Sequence, residues 1–228
     1  MDALVTGVCA AGGLVLGAPA EVVVARVGAR QSMARPWRVA NPGRALAIAL
    51  CGGALCGGLA ARLGTDVALA AYAVLALSLV AMSAVDLERF IIPNRILYPT
   101  AAVVVPLLVI ASAVDHRWGS LWRAALAAAI AFVAFLAVHL AVPHGMGFGD
   151  VRLSGLLGFA TGWLGLGHAF VGFFAGFVLG AVVGIGVMVA GRGGRKTRIP
   201  FGPFLAAGAM VTVLWGNPLV HALFHRGA

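Results

Sequence analysis

The chain has 228 residues, 62% of them hydrophobic and only 10% charged, with a formal charge of +9 at pH 7. Its mean hydropathy is +1.03, a balance that excludes an ordinary soluble domain, because so few charged groups cannot furnish a water-facing surface. A spanning helix takes roughly 20 apolar residues, so the length holds about eight spans and no sizeable soluble domain.

In chain order, apolar segments run at 3–25, 45–61, 67–86, 96–114, 121–141, 151–167, 169–190 and 201–222. Each predicts a membrane helix. The expected fold class is all-α: a polytopic membrane protein of about eight transmembrane helices, with residues 1–228 as a single integral membrane domain. The first segment does not look like a cleavable signal peptide, since Met1-Asp2 supplies no basic stretch ahead of it. Residues 26–44, with Gln31, Ser32, Pro36, Asn41 and Pro42, form the one long polar connection. They read as a short basic membrane-surface loop or an interfacial helix. The alanines at 124–129 and the glycines spaced through 172–186 read as close-packing helix faces. Cys9, Cys51 and Cys56 lie in apolar stretches without a CxxC pair, which argues against a zinc site and a disulfide framework.

Lys and Arg near span ends are retained in the cytoplasm. One alternate set of connections holds Arg26, Arg30, Arg35, Arg38 and Arg44, then Arg89 and Arg95, then Arg152, then Arg192, Arg195, Lys196 and Arg198. The other set holds only Arg62, Arg117, Arg123 and Arg226. The first set belongs to the cytoplasm, which puts both termini on the outer side. Arg-rich loops facing the anionic lipid leaflet account for the positive charge, and no nucleic-acid partner is expected. A span miscounted at the tight turn of residues 165–168 would invert everything downstream, and the basic loop at 191–198 agrees with no such error. Trp118, Trp122, Trp163 and Trp215 read as interfacial anchors toward the outer leaflet.

Seven acidic residues are present. Asp2, Glu21, Asp66 and Asp115 have ordinary places at a terminus, a span boundary or the outer connections. Asp86 instead closes the third span, in Ala84-Val85-Asp86-Leu87-Glu88-Arg89, and Asp150 opens the sixth, in Gly145-Met146-Gly147-Phe148-Gly149-Asp150-Val151-Arg152. In this topology both carboxylates lie at cytoplasmic helix ends, at one depth, where they could meet. Asp150 could alternatively be no more than the N-cap of a helix beginning at Val151. That reading suits Asp86 less, because a carboxylate at a helix C-terminus opposes the dipole. Two carboxylates in partly desolvated surroundings share a proton, the arrangement of an aspartic protease dyad. One then activates water while its protonated partner polarises the scissile carbonyl.

The flanking residues fit such a site. Gly145, Gly147 and Gly149 permit positive φ and let a substrate backbone approach, or else form a flexible loop. Pro93-Asn94 breaks the chain after Asp86 and restarts a helix. Ile199-Pro200-Phe201-Gly202-Pro203-Phe204 is a third irregular element on the same side, either lining a groove or starting a helix. His139 lies near the same helix end, His144 could donate to the dyad, and Arg152 contacts lipid phosphate or tunes the carboxylates.

These motifs resemble the type IV prepilin peptidases, membrane aspartic proteases of the GxGD class. The resemblance rests on Asp86 with Ile92-Pro93-Asn94, on Gly147-Phe148-Gly149-Asp150-Val151-Arg152-Leu153, and on residues 199–204, in the family's order. It covers about Val67 to Gly208 and extends loosely to Gly17 through Arg26. It implies cleavage of the basic leader from a pilin or pseudopilin precursor, at the cytoplasmic face of a bacterial inner membrane, in type IV pilus assembly or protein secretion. It further implies Asp86 and Asp150 as catalytic aspartates, with Gly147, Gly149, Pro93, Asn94, Pro200, Gly202 and Pro203 binding substrate or shaping the loops, and no metal or other cofactor. Larger family members carry, after the first helix, a domain with two zinc-binding CxxC pairs, and they methylate the new pilin N-terminus. The loop at 26–44 stands in its place without a cysteine, so neither zinc nor methyl transfer is expected.

Rival readings use the same carboxylates. A small proton- or cation-coupled transporter could relay through Asp86 and Asp150, although such sites usually sit near the bilayer midplane. A divalent cation could lie between Asp86, Glu88 and Asp150 only if the helix has ended before Glu88, since residues two apart on a helix diverge. An inactive homologue acting in assembly would not need both aspartates.

Overall fold

Inside lipid, a long apolar segment satisfies its backbone by forming a helix. The computed structural model describes residues 2–28, 41–142, 146–190 and 200–224. Among them the helices are α1 (Asp2–Val15), α2 (Gly17–Gly28), α3 (Pro42–Leu63), α4 (Ala68–Arg89), α5 (Asn94–Val114), α6 (Trp118–Ala141), α7 (Phe148–Leu164), α8 (Leu166–Val189) and α9 (Gly202–Phe224), with no strand. Among the described residues, seven segments are long and apolar enough to cross a membrane, Ala3–Arg26 counting as one. The exception is α7: its 17 residues span about 26 Å, a little under a hydrocarbon core of about 30 Å.

The first expected span is interrupted at Leu16. Pro19 has no N–H, and its ring crowds the carbonyl four residues back, at Val15, where α1 ends. The interruption is slight, since Leu16 N–H still donates to Gly12 O at 3.0 Å and Ala20 N–H to Leu16 O at 2.9 Å. The connection expected over 26–44 is shorter at both ends, because α2 runs to Gly28 and α3 begins at Pro42. Its middle, 29–40, lies outside the described residues, as does the basic loop at 191–199.

The chain forms two compact units, Met1–Trp122 and Arg123–Ala228. In the first, α3 begins by rule: Asn41 is extended, its side chain accepts the Arg44 N–H, and Pro42 follows at the first helical position. Small residues bring α1 onto α3, so a Cβ at Gly13 would stand 2.6 Å from Gly52 O. The core is the face of α4 that carries Ala71, Tyr72, Leu75, Leu79 and Met82.

In the second unit the expected alanine and glycine faces pack α6 on α7 and α8 on α9. A Cβ at Gly162 would lie 2.4 Å from the Ala127 methyl, and one at Gly208 would lie 2.2 Å from Gly172 O. Gly208→Ala therefore forces α8 and α9 apart. We expect it to cost about 1–3 kcal/mol as a lower melting temperature in detergent. Gly186→Ala, whose methyl would meet nothing within 4 Å, should leave melting unchanged or raise it slightly, alanine being the better helix former; equal melting of the two variants would contradict the packing. The tight turn between α7 and α8 is the single residue Gly165, at φ 156 and ψ 156, a conformation essentially reserved for glycine. Trp118, Trp122 and Trp215 are exposed, but Trp163 is buried. Its place on α7 turns it into the core, which corrects the expected interfacial role.

Candidate active site

In the first unit, Asp86 stands on the last turn of α4 and is 4% exposed. The helix ends because Phe90 adopts the left-handed conformation, φ 56 and ψ 37, while its N–H donates to Asp86 O at 2.8 Å. The chain then runs to Pro93, extended at φ −78 and ψ 119, and α5 starts at Asn94. Ile96 and Leu97 N–H groups both donate to Pro93 O at 3.0 Å. Pro93 is thus the N-cap of α5, and Asn94 is its first residue.

Beside this turn is a cluster that sequence reasoning missed. Glu21, expected at an ordinary boundary, is fully buried. Its Oε1 accepts Asn41 N–H at 3.2 Å and Arg44 Nη2 at 2.6 Å. The other guanidinium nitrogen, Arg44 Nη1, donates to Glu88 Oε1, so one arginine bridges α2 and the end of α4. The legible signal was Asn41-Pro42, which places Arg44 in the first turn of α3; no spacing rule connects positions 21, 44 and 88. Because α4 continues through Arg89, Glu88 stays helical, and the condition for its joining Asp86 around a cation is not met.

Asp150, in the second unit, corrects another expectation. The helix begins at Phe148 rather than Val151, and its N-cap is Gly147, at φ −71 and ψ 144. Asp150 lies within the first turn, 8% exposed, its N–H donating to Gly147 O at 3.1 Å. It is therefore not the cap, although the helix dipole still favours its charge. Neither Gly147 nor Gly149 has a positive φ. Gly147 supplies space instead, since a Cβ there would lie 3.3 Å from Asp150 Oδ2. Gly145 and His144 lie outside the described residues.

Two further side chains meet this turn. His139, on the last turn of α6, places Nδ1 2.9 Å from Met146 O and its ring 5.5 Å from that of Phe148. The Arg152 guanidinium lies over the Phe148 ring, 4.6 Å from its centroid, a cation–π contact. The third irregular element proves to be a helix start. Gly202 and Pro203 occupy the first turn of α9, where a missing N–H costs little, and Pro200 precedes them. Phe201 O accepts Phe204 and Leu205 N–H groups at 3.1 and 3.2 Å, and its ring packs 5.1 Å from that of Phe177. Among the described residues, no three His, Cys, Asp or Glu side chains gather as a metal would require.

Residues 73–185 match the Type IV leader peptidase family, a segment that contains both Asp86 and Asp150. The prepilin leader peptidase/N-methyltransferase of Burkholderia pseudomallei is 35% identical over 180 residues, 75% of this chain and 54% of that protein. That of Bacillus subtilis is 33% identical over 143 residues, 62% of this chain and 54% of that protein. The Xanthomonas campestris protein of the same name is 35% identical over 153 residues, 64% and 50% of the two chains. This chain thus spans about half the length of the curated relatives it matches. No solved structure matches it. With the GFGD turn, the Asp86 turn and the helical spans all inside or flanking the matched segment, the chain belongs to the type IV leader peptidase family.

Proposed function

We propose that this protein is an aspartic endopeptidase that removes the N-terminal leader of type IV pilin-like precursors, with Asp86 and Asp150 as a proton-sharing dyad. One observation carries the reading: two carboxylates, each more than nine-tenths buried at a helix end, both fall in the family segment. Buried carboxylates in membrane helices are costly unless they serve a function. In the dyad, the ionised aspartate takes a proton from water while the protonated one hydrogen-bonds the scissile carbonyl. Gly147 keeps the approach to Asp150 open, and the Pro93 and Pro200–Pro203 elements shape the surrounding loops. No step calls for a metal. The absence of any CxxC pair in the chain supports a peptidase without the zinc-linked methyl transfer. The transporter reading draws no support from the family match.

The substrate is a precursor peptide with a basic leader ahead of an apolar helix, met at the cytoplasmic face of a bacterial inner membrane. The distribution of Lys and Arg supports this orientation if α7 crosses, for the eight crossings then return the C-terminus to the outer side. An alkaline phosphatase reporter fused after Ala228 should be active, and one placed at 191–199 inactive. The reverse result at the C-terminus would mean that α7 does not cross. The activity itself is tested by incubating membranes that contain the protein with a pilin-like precursor and locating the cut by mass spectrometry. Release of the leader supports the reading, and intact precursors across the pilin and pseudopilin classes overturn it.

A further inference from the structure

The turn before Asp150 is built from residues that hold themselves poorly. Glycines at 147 and 149 leave the backbone freer than any other residue would, and the N-cap, Gly147, has no side chain to bond the helix start. The restraint comes from α6. A carbonyl oxygen can only accept, so the 2.9 Å contact between His139 Nδ1 and Met146 O fixes the proton on Nδ1. The imidazole therefore donates to Met146 in either charge state. The same ring packs on Phe148, which Arg152 covers in turn. Two contacts from one side chain thus hold the residues on either side of the Gly147 cap, three positions before Asp150.

We propose that His139 is a positioning residue for Asp150, clamping the Met146–Phe148 turn so that the carboxylate is presented in one place; this rests on the peptidase reading given above. A displacement of about 1 Å at a reacting group lowers rates about a hundredfold, and loosening this turn would act through that route rather than through substrate affinity.

The test is a set of three substitutions in the full-length protein. Asn places an amide N–H where Nδ1 stands, Gln extends it to where Nε2 stands, and Ala removes both. We expect His139→Ala and His139→Gln to lower kcat for leader cleavage roughly ten- to a hundredfold with KM within about twofold. His139→Asn should recover most of that loss, short of the part carried by the ring. Amide hydrogen exchange over 147–151 reads the clamp independently of activity: it should quicken in Ala and Gln and stay near parental in Asn. Parental kcat in His139→Ala, equal losses in all three variants, or unchanged exchange in His139→Ala would each overturn the proposal. A parent that cuts no precursor while the exchange pattern holds would sink the peptidase reading and leave the clamp standing.

Discussion

Asp86→Asn and Asp150→Asn are each expected to lower leader cleavage by about 10²–10⁴-fold without lowering the amount of folded protein. The amide keeps the size of the carboxylate but cannot exchange a proton, so neither the water-activating role nor the carbonyl-polarising one survives. The stability effect should run the other way. Both side chains are buried, and a neutral amide is easier to bury than a carboxylate, so melting temperatures should hold or rise as activity falls. In the proposed dyad the two groups would act as one unit, so the double Asn variant should be about as slow as either single variant. The assay is precursor cleavage in membranes at matched abundance. Near-parental cutting by either variant would remove that residue from the dyad, and losses that multiply in the double variant would show two independent groups.

Arg44→Ala should be strongly destabilising. It strips the cation from Glu21, whose side chain is fully buried, while Glu88 is 47% exposed. Breaking a buried pair from one side costs about 3–5 kcal/mol, because the remaining charge has lost its compensation. Glu88→Gln should cost under about 1 kcal/mol, since water screens that arm of the bridge. Adding Glu21→Gln to Arg44→Ala should restore much of the loss, the test of a charge penalty rather than lost packing. Melting in detergent reads all four proteins. An Arg44→Ala variant that melts like the parent, or a double variant no better than the single, would refute the bridge's role.

What was legible in the sequence follows its physics. Apolar runs of about 20 residues mark spans, so α3 to α6, α8 and α9 emerge near their observed places. Ends were less legible: α7 starts three residues early because a glycine, not the aspartate, caps it, and Pro19 interrupts a run that hydropathy treats as continuous. Asp86 and Asp150 stood out because charge in an apolar context is rare. Glu21 did not, because its burial depends on an arginine 23 positions later, and such long-range pairing leaves no trace in local spacing. Trp163 misled for the same reason: aromatic type suggests an interface, while the face of α7 on which it falls decides its burial. His139 was placed at the correct helix end, but its hold on Met146 needed the backbone of the turn.

The one-residue joint at Gly165 has a mechanical consequence. From Leu164 back to Asp150, α7 is a rod about 21 Å long at 1.5 Å per residue, fixed at one end to α8 through a glycine. A rocking of only about 5° at that joint would carry Asp150 through about 2 Å, enough to take a reacting carboxylate out of range. The close seating of Gly158 and Gly162 against Ala127 braces the rod along its length, and bulk introduced there should disarm the far tip by leverage without touching it.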